Sequence, residues 1–125
     1  MAEKKFKILF IEDEPDQITM ISMRLQKNGY EVIASSDGES GLKKAAEERP
    51  DLILLDVLMP GIDGLEVCRR LRAEPVTRGI PVITTTAAGV DNIEHLCRVA
   101  GADDCLRKPY ASADLLMKIE RLLKK

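Results

Sequence analysis

The sequence predicts a doubly wound α/β fold, in which helices cover both faces of a five-stranded parallel sheet. Short apolar or β-branched runs alternate with amphipathic segments about every 20–25 residues, which is typical of repeated βα units. The run 52–55 contains only large aliphatic residues, the pattern of a strand buried on both faces. A chain of 125 residues can bury one core, so we expect a single domain over 1–125 with its core over about 7–123.

The first half of the chain supplies two strands and two helices ahead of this central strand. Residues 7–11 and 31–35 are short runs rich in strand-forming side chains. A helix is predicted over 15–28, because a proline suits its first turn and a glycine follows its last apolar residue. Asp37 is the expected cap of a second helix, which must stop before Pro50.

The second half alternates in the same way. Prolines, glycines and capping side chains separate its apolar segments. The predicted elements are, in order, a helix over about 65–72, a strand over 81–86, a helix started by a capping box of Asp91 and Glu94, a strand over 103–107 and a helix capped by Ser112.

Composition excludes several classes of function. The formal net charge is −2, from 19 basic and 21 acidic residues, and no basic run is interleaved with aromatic residues. Direct nucleic-acid binding, which needs a concentrated positive surface, is therefore not expected. No stretch has the apolar length of a membrane span, and the lysine-rich start precedes only about five apolar residues, short of the ~7–15 in a signal peptide. We expect a cytoplasmic protein without membrane contact.

The three cysteines, Cys68, Cys97 and Cys105, are odd in number and far apart in the sequence. This spacing suggests neither a disulfide framework nor a zinc site. We expect three reduced thiols, mostly buried. The single histidine, His95, is expected on the surface of the fourth helix.

Chemically active side chains follow several of the predicted strands. Parallel strands end at one edge of the sheet, so Glu12 and Asp13 after the first strand should meet Asp56 after the third. Carboxylates about 5 Å apart repel by roughly 3 kcal/mol a pair at an effective dielectric constant of about 20. Lys108, just beyond the fifth strand, cannot balance all of them. A divalent cation resolves the repulsion, and an all-oxygen ligand set indicates Mg²⁺ or Mn²⁺.

This combination suits phosphoryl transfer. A carboxylate can act as a nucleophile and form an acyl phosphate, while a cation and an ammonium group neutralise the phosphoryl oxygens. Thr86, at the end of the fourth strand, adds a hydroxyl group at the same edge. Each residue alone has an ordinary structural explanation, whereas their joint occurrence at the ends of four strands indicates a site.

These motifs resemble the receiver domain of two-component response regulators. The likeness runs from Lys7 to Leu123, and it implies a flavodoxin-like sheet with the strand order 2-1-3-4-5. The matching motifs are, in order, Glu12-Asp13, the run 56–64, Pro81-Val82-Ile83 leading to Thr86-Ala87, Gly101-Ala102-Asp103-Asp104 and Lys108-Pro109.

The resemblance implies a role for each position of the site. Asp56 would accept a phosphoryl group from a sensor histidine kinase or a histidine phosphotransfer protein. Lys108 would pair with the phosphoryl oxygens, and the peptide bond that follows it would be cis. Thr86 would move to hydrogen-bond the phosphoryl group. The implied magnesium ligands are Glu12, Asp13, Asp56 and the backbone carbonyl of Leu58.

The resemblance also implies how the signal leaves the domain. The surface of helix 4, strand 5 and helix 5 would contact an output domain or effector, and phosphorylation could drive homodimer formation. The protein would be a phosphoacceptor and not an enzyme in its own right.

The sequence departs from the family pattern in two places. Cys105 stands where an aromatic residue is common, so we expect a weaker or differently transmitted change at the output surface. Leu58 and Ala88 offer an attacking water no polar partner near Asp56, which predicts slow self-dephosphorylation. Tyr110 and Arg107, which flank the Lys-Pro pair, are expected to pack half-buried, although both could contact a partner.

Three other functions are compatible with an α/β chain of this kind. An aspartate-nucleophile phosphatase is disfavoured because a second acid is expected where Leu58 stands, and no cap domain is visible. A nucleotide- or flavin-binding module would need a glycine-rich loop after the first strand. A receiver that serves only as a docking scaffold need not keep the whole set of Glu12, Asp13, Asp56, Thr86 and Lys108.

Overall fold

The computed structural model describes residues 5–59, 61–87 and 92–124. In these residues one parallel sheet has the strand order β2-β1-β3-β4-β5. The strands are β1 (Lys7–Ile11), β2 (Glu31–Ser35), β3 (Leu52–Asp56), β4 (Val82–Ala87) and β5 (Asp104–Lys108). The helices are α1 (Pro15–Lys27), α2 (Gly38–Glu48), α3 (Gly64–Ala73), α4 (Ile93–Ala100) and α5 (Ser112–Leu123). The predicted fold class and strand order are confirmed.

Alternate residues of the inner strands supply two separate cores, because successive side chains of a strand point to opposite faces. One face of β1 and β3 packs against α2 and α3; its members include Leu9, Ile11, Ile53, Leu55, Ala45, Val67 and Leu71. The other face packs against α1 and α5; its members include Ile8, Phe10, Leu52, Leu54, Ile21, Leu25, Leu115 and Ile119. This double coverage explains why β3 is an unbroken aliphatic run.

The start of α2 follows the capping prediction, and the start of α5 departs from it by one residue. The Asp37 carboxylate accepts the Ser40 N–H at 2.8 Å at the start of α2. Ser112, however, is the first residue of α5 and not its cap. Ala111 holds the cap position in extended backbone, and its carbonyl accepts the Asp114 N–H at 3.0 Å. The prediction for Ser112 is wrong by one residue, because any residue with extended backbone can start a helix.

The start of α4 is only partly described. Asp91, the predicted cap, lies outside the described residues, and Asn92 at the cap position has a left-handed backbone (φ 59°) with no side-chain capping bond. Among the helices of the described part of the chain, none combines the length and apolar character needed to cross a lipid bilayer.

A clamp built on Arg72 closes the end of the sheet opposite the predicted site. Its guanidinium donates to the carbonyls of Gly101, Arg78 and Ile80 at 2.7–2.9 Å. It also pairs with the Asp103 carboxylate at 2.8 Å. One side chain therefore ties α3 to the connections that lead into β4 and β5. Nothing in the sequence pattern distinguished Arg72 from other surface arginines.

At the site end, Gly64 lets α3 pack directly against the end of β3. Its N–H donates to the Val57 carbonyl at 2.9 Å. A Cβ atom at this position would lie 2.5 Å from the Asp56 carbonyl oxygen and 2.6 Å from the Val57 Cα. A side chain here would displace the backbone that carries Asp56.

We therefore expect Gly64→Ala to lower the free energy of unfolding by about 1–3 kcal/mol, the usual cost of overpacking. Gly79→Ala is the matched control, because a Cβ there meets nothing within 4 Å. Urea unfolding of both variants measures the difference. Equal midpoints for the two variants would show that the backbone at the end of β3 yields easily.

Candidate functional site

Three carboxylates meet at the carboxyl edge of the sheet. Glu12 directly follows β1, and Asp56 is the last residue of β3. One oxygen from each of Glu12, Asp13 and Asp56 lies within 4.8 Å of the others. Glu12 and Asp56 are buried, at 1% and 4% exposure, whereas Asp13 is exposed. The structure thus brings together the acidic residues that the sequence predicted to converge.

Lys108 completes the cluster. It is the last residue of β5, inside the strand and not just beyond it as expected. Its Nζ lies 3.0 Å from Glu12 Oε1 and 3.6 Å from Asp56 Oδ2. The side chain therefore reaches across β4 and β3 toward β1, and its ammonium is the only cation that pairs with these carboxylates in the described part of the chain. One positive charge leaves the cluster with an excess of negative charge.

The pKa of Asp56 reflects both its burial and this negative charge. Burial, followed by the charge of Glu12, raises the pKa of the Asp56 carboxyl from 3.8 to about 7. The Lys108 ammonium and the N–H of Leu58, which donates to Asp56 Oδ1 at 3.3 Å, act in the opposite direction. Without a further positive partner, the site holds a proton near neutral pH.

The oxygen-only donor set fits a small hard divalent cation. Carboxylates are the protein ligands that Mg²⁺ and Mn²⁺ prefer, and a divalent charge would offset the burial and the repulsion by Glu12 that raise the pKa of Asp56. Leu58, whose carbonyl was predicted as a further ligand, lies two residues after Asp56 in an exposed position. Ala88, the other predicted neighbour of the site, lies outside the described residues.

Thr86, the penultimate residue of β4, carries a buried hydroxyl group. Its side chain is 1% exposed, and its Oγ1 has no hydrogen-bond partner among the described residues. A buried hydroxyl without a partner is costly and remains available for a new acceptor. Thr85 beside it has the same property, which sequence reasoning missed. The run of three consecutive threonines, 84–86, in an inner strand is the signal that could have drawn attention to it.

The residues around the Lys-Pro pair differ in their packing. The Lys108–Pro109 peptide bond is cis, as the resemblance implied. Tyr110 packs half-buried against the α1–α5 core, and burial together with the charges of Glu12 and Asp56 raises the pKa of its hydroxyl to about 12. Arg107 is instead exposed and pairs with Glu94 at 2.8 Å, so the expectation of half-buried packing is wrong for this residue.

The thiols and the histidine lie where the sequence predicted. All three cysteines are free; Cys68 and Cys97 are buried, and His95 is exposed. Cys105 is partly buried and packs against the cluster of Val57, Ile93 and Cys97 beneath α4. Burial is the main cause that raises the pKa of the Cys97 thiol to about 11, and this thiol contacts the Thr84 hydroxyl and the Cys105 thiol.

Comparisons with known proteins agree with this geometry. The family model of the response regulator receiver domain matches residues 8–120. The alkaline phosphatase synthesis transcriptional regulatory protein PhoP of Bacillus subtilis (strain 168) is 39% identical over 119 residues, a match that covers 95% of this chain and 49% of that protein. The chain spans about half the length of the first curated relatives it matches.

Two solved structures show how closely the fold is shared. The receiver domain of a sensor histidine kinase from Pseudomonas aeruginosa PAO1, with a magnesium ion coordinated in its active site cleft, has a TM-score of 0.90 and 33% identity, covering 98% of this chain and 100% of that one. The BeF3-activated N-terminal receiver domain of Klebsiella pneumoniae RstA has a TM-score of 0.88 and 34% identity, covering 95% and 99%. With the fold, the carboxylate cluster and the family match in agreement, this chain belongs to the receiver domains of two-component response regulators.

Proposed function

We propose that the protein accepts a phosphoryl group on Asp56, in a reaction that needs a divalent cation, and that this changes its output surface. The observation that carries the proposal is the meeting of three carboxylate oxygens within 4.8 Å beside the Lys108 ammonium. The donor is a phosphohistidine of a sensor histidine kinase or of a histidine phosphotransfer protein, which family membership supports.

In this reaction a carboxylate oxygen of Asp56 forms a bond to phosphorus while the phosphorus–nitrogen bond of the donor breaks. The Lys108 ammonium, already 3.6 Å from Asp56 Oδ2, neutralises charge on the transferred group. The Thr86 hydroxyl, which has no partner among the described residues, can donate a hydrogen bond to a phosphoryl oxygen. Asp56, Lys108 and Thr86 thus each have a proposed role in the transfer.

Glu12, Asp13 and Asp56, together with the Leu58 carbonyl, would hold Mg²⁺, with Mn²⁺ as a substitute. The cation supplies positive charge for the phosphoryl oxygens. The magnesium-containing relative from Pseudomonas aeruginosa supports this choice. The burial of Glu12 and Asp56 supports it too, because buried carboxylates need positive partners.

Two exposed surfaces suit the expected partners. A depression of about 320 Å³ beside Lys108, lined partly by Met20 and Tyr110, gives a phosphodonor protein an approach to the site. The second surface, α4–β5–α5, has an apolar character because Leu96 and Val99 of α4 and Met117 of α5 are exposed. We assign that surface to an effector, an output domain or a second copy of the chain after phosphorylation.

The chain is thus proposed to be one receiver domain over 1–125 that works in the cytoplasm, where its kinase partner presents phosphohistidine. A phosphatase is the weaker candidate, because the residue two positions after Asp56 is the exposed, apolar Leu58 and no second acid is available there. Nucleic-acid contact by this domain is not proposed, given the net charge of −2.

Incubation with acetyl phosphate and Mg²⁺ should add one phosphoryl group to the protein, as detected by intact mass. Asp56→Asn should abolish the adduct, because an amide is a poor nucleophile, and chelation of the cation should stop the reaction. Asp51→Asn is the matched control at the opposite end of the β3 region, where the side chain accepts the Lys7 N–H at 2.8 Å. An adduct that persists in Asp56→Asn would place the acceptor elsewhere.

The raised pKa of Asp56 predicts a pH-dependent effect of the same substitution on stability. The folded state binds this proton more tightly than the unfolded state. Ionisation of the carboxyl therefore lowers the free energy of unfolding progressively as pH rises from about 4 to about 7, and above that range the loss stays constant. Metal-free Asp56→Asn should therefore be more stable than the wild type by about 1–3 kcal/mol at pH 8, and the gain should shrink toward pH 4.

Urea unfolding at several pH values, with and without Mg²⁺, measures this gain. Saturating Mg²⁺ should remove most of it, since the cation stabilises only the wild type strongly. A gain that does not change with pH would show that ionisation of Asp56 is not its origin.

Leu58 predicts a slow loss of the phosphoryl group. Its exposed aliphatic side chain cannot orient a water molecule for attack on the acyl phosphate. Leu58→Asn should shorten the lifetime of the phosphorylated protein by about tenfold, a barrier change of about 1.4 kcal/mol. Leu96→Asn, at another exposed leucine on α4, is the control. A wild-type lifetime of only seconds would contradict the prediction.

A further inference from the structure

Thr85 carries a buried hydroxyl group that has no role in the fold or in the proposed phosphoryl transfer. Its side chain is 1% exposed, and its Oγ1 finds no partner among the described residues. Such a group costs stability, whereas a valine of the same shape would not. A state of the protein in which the hydroxyl is paired would account for it.

The sheet register places Thr85 next to Asp56, at the same level in the neighbouring strand. Thr85 is in register with Asp56 of β3 and with Leu106 of β5. Residues in register on parallel strands point to the same face, and Leu106 belongs to the α1–α5 core. Asp56, Thr85 and Lys108, which is two residues after Leu106, therefore share that face of the sheet.

The Lys108 side chain crosses β4 to reach the carboxylates. It is in register with Ala87 of β4, yet its Nζ lies 3.0 Å from Glu12 at the end of β1. On this face of β4, Ala87 is level with Lys108 and Thr85 is level with Asp56. The lysine thus crosses β4 next to a hydroxyl that has no hydrogen-bond partner among the described residues.

The ammonium is held by Glu12 more closely than by Asp56, at 3.0 Å against 3.6 Å. A divalent cation bound by Glu12 would compete for that carboxylate and weaken its hold on Lys108. The ammonium would then shift toward Asp56, which is toward β4 and Thr85. An ammonium has three donors, so it can bind Asp56, a phosphoryl oxygen and one further acceptor.

We propose that Thr85 is a positioning residue, whose hydroxyl accepts a hydrogen bond from the Lys108 ammonium and holds it in line with Asp56 once the cation occupies Glu12. The inference rests on the proposed phosphoryl transfer to Asp56. The hydroxyl has no partner among the described residues of the resting protein and becomes paired in the reacting one, so it costs stability in the first state and lowers the barrier to the second.

The test compares two variants that divide the threonine side chain. Thr85→Val keeps the shape and loses the hydroxyl, and Thr85→Ser keeps the hydroxyl and loses the methyl group. With acetyl phosphate at saturating Mg²⁺, we expect Thr85→Val to be phosphorylated about tenfold more slowly and Thr85→Ser to stay close to the wild-type rate. Thr84→Val is the control, because that neighbouring hydroxyl lies on the opposite face and donates to the Asp104 carbonyl at 3.3 Å.

Stability and rate should move in opposite directions. Urea unfolding of the unphosphorylated protein should give Thr85→Val a higher midpoint than the wild type and Thr84→Val a lower one, although only Thr85→Val reacts slowly. In a Lys108→Ala background, Thr85→Val should slow the reaction no further, because the hydroxyl acts through the lysine.

Thr85→Val reacting at the wild-type rate would overturn the inference, and so would an undiminished effect in the Lys108→Ala background. Both results leave the phosphoacceptor function standing. If the wild-type protein itself gains no phosphoryl group, the proposed function fails and the role of Thr85 fails with it.

Discussion

The repulsion among Glu12, Asp13 and Asp56 is the constraint on which the site depends. The ends of β1 and β3, whose backbones are hydrogen-bonded into the same sheet, hold the backbones of Glu12 and Asp56 side by side, and their carboxylate oxygens lie within 4.8 Å of one another. Lys108 offsets part of the negative charge, whereas burial, followed by the charge of Glu12, raises the pKa of Asp56 to about 7. The stability of the sheet thus maintains an arrangement that favours binding of a positive partner, either a proton or a cation.

The residues of the candidate site are divided between the two faces of the sheet. Asp56, Thr85 and Lys108 point to the face covered by α1 and α5. Thr84 and Thr86 alternate to the opposite face, where the Thr84 hydroxyl contacts the Cys97 thiol of α4. One strand, β4, therefore touches both the reacting groups and the helix of the proposed output surface.

Cys105 makes the packing beneath α4 on this second face one of small side chains. It is partly buried among Val57, Ile93 and Cys97, where the family often has an aromatic ring. A small side chain has little area with which to push α4, so any change that begins at Thr86 must reach the surface through the packing of these small residues. The expectation of a weaker or differently transmitted change stays a prediction that this packing supports.

Much of this protein could be predicted from local sequence patterns. The aliphatic run of β3, the β-branched run of β4 and the acidic residues at strand ends predicted the sheet and the convergence of Glu12, Asp13 and Asp56, because burial and strand direction follow from local pattern. The capping prediction for Ser112 was wrong by one residue, since many side chains tolerate the extended backbone at a helix start. The strand order came from family resemblance, because no local pattern specifies which strands become neighbours.

Other features were decided only by the tertiary structure. The pairing of Lys108 with Glu12 joins residues 96 positions apart, and the Arg72 clamp joins segments 29–31 positions apart. The place of Thr85 beside Asp56 depends on the register of two strands that are separated by a whole helix in the sequence. Local sequence determines which segments are strands and which face is apolar, but distances between side chains from different strands arise only when the sheet has chosen its order and register.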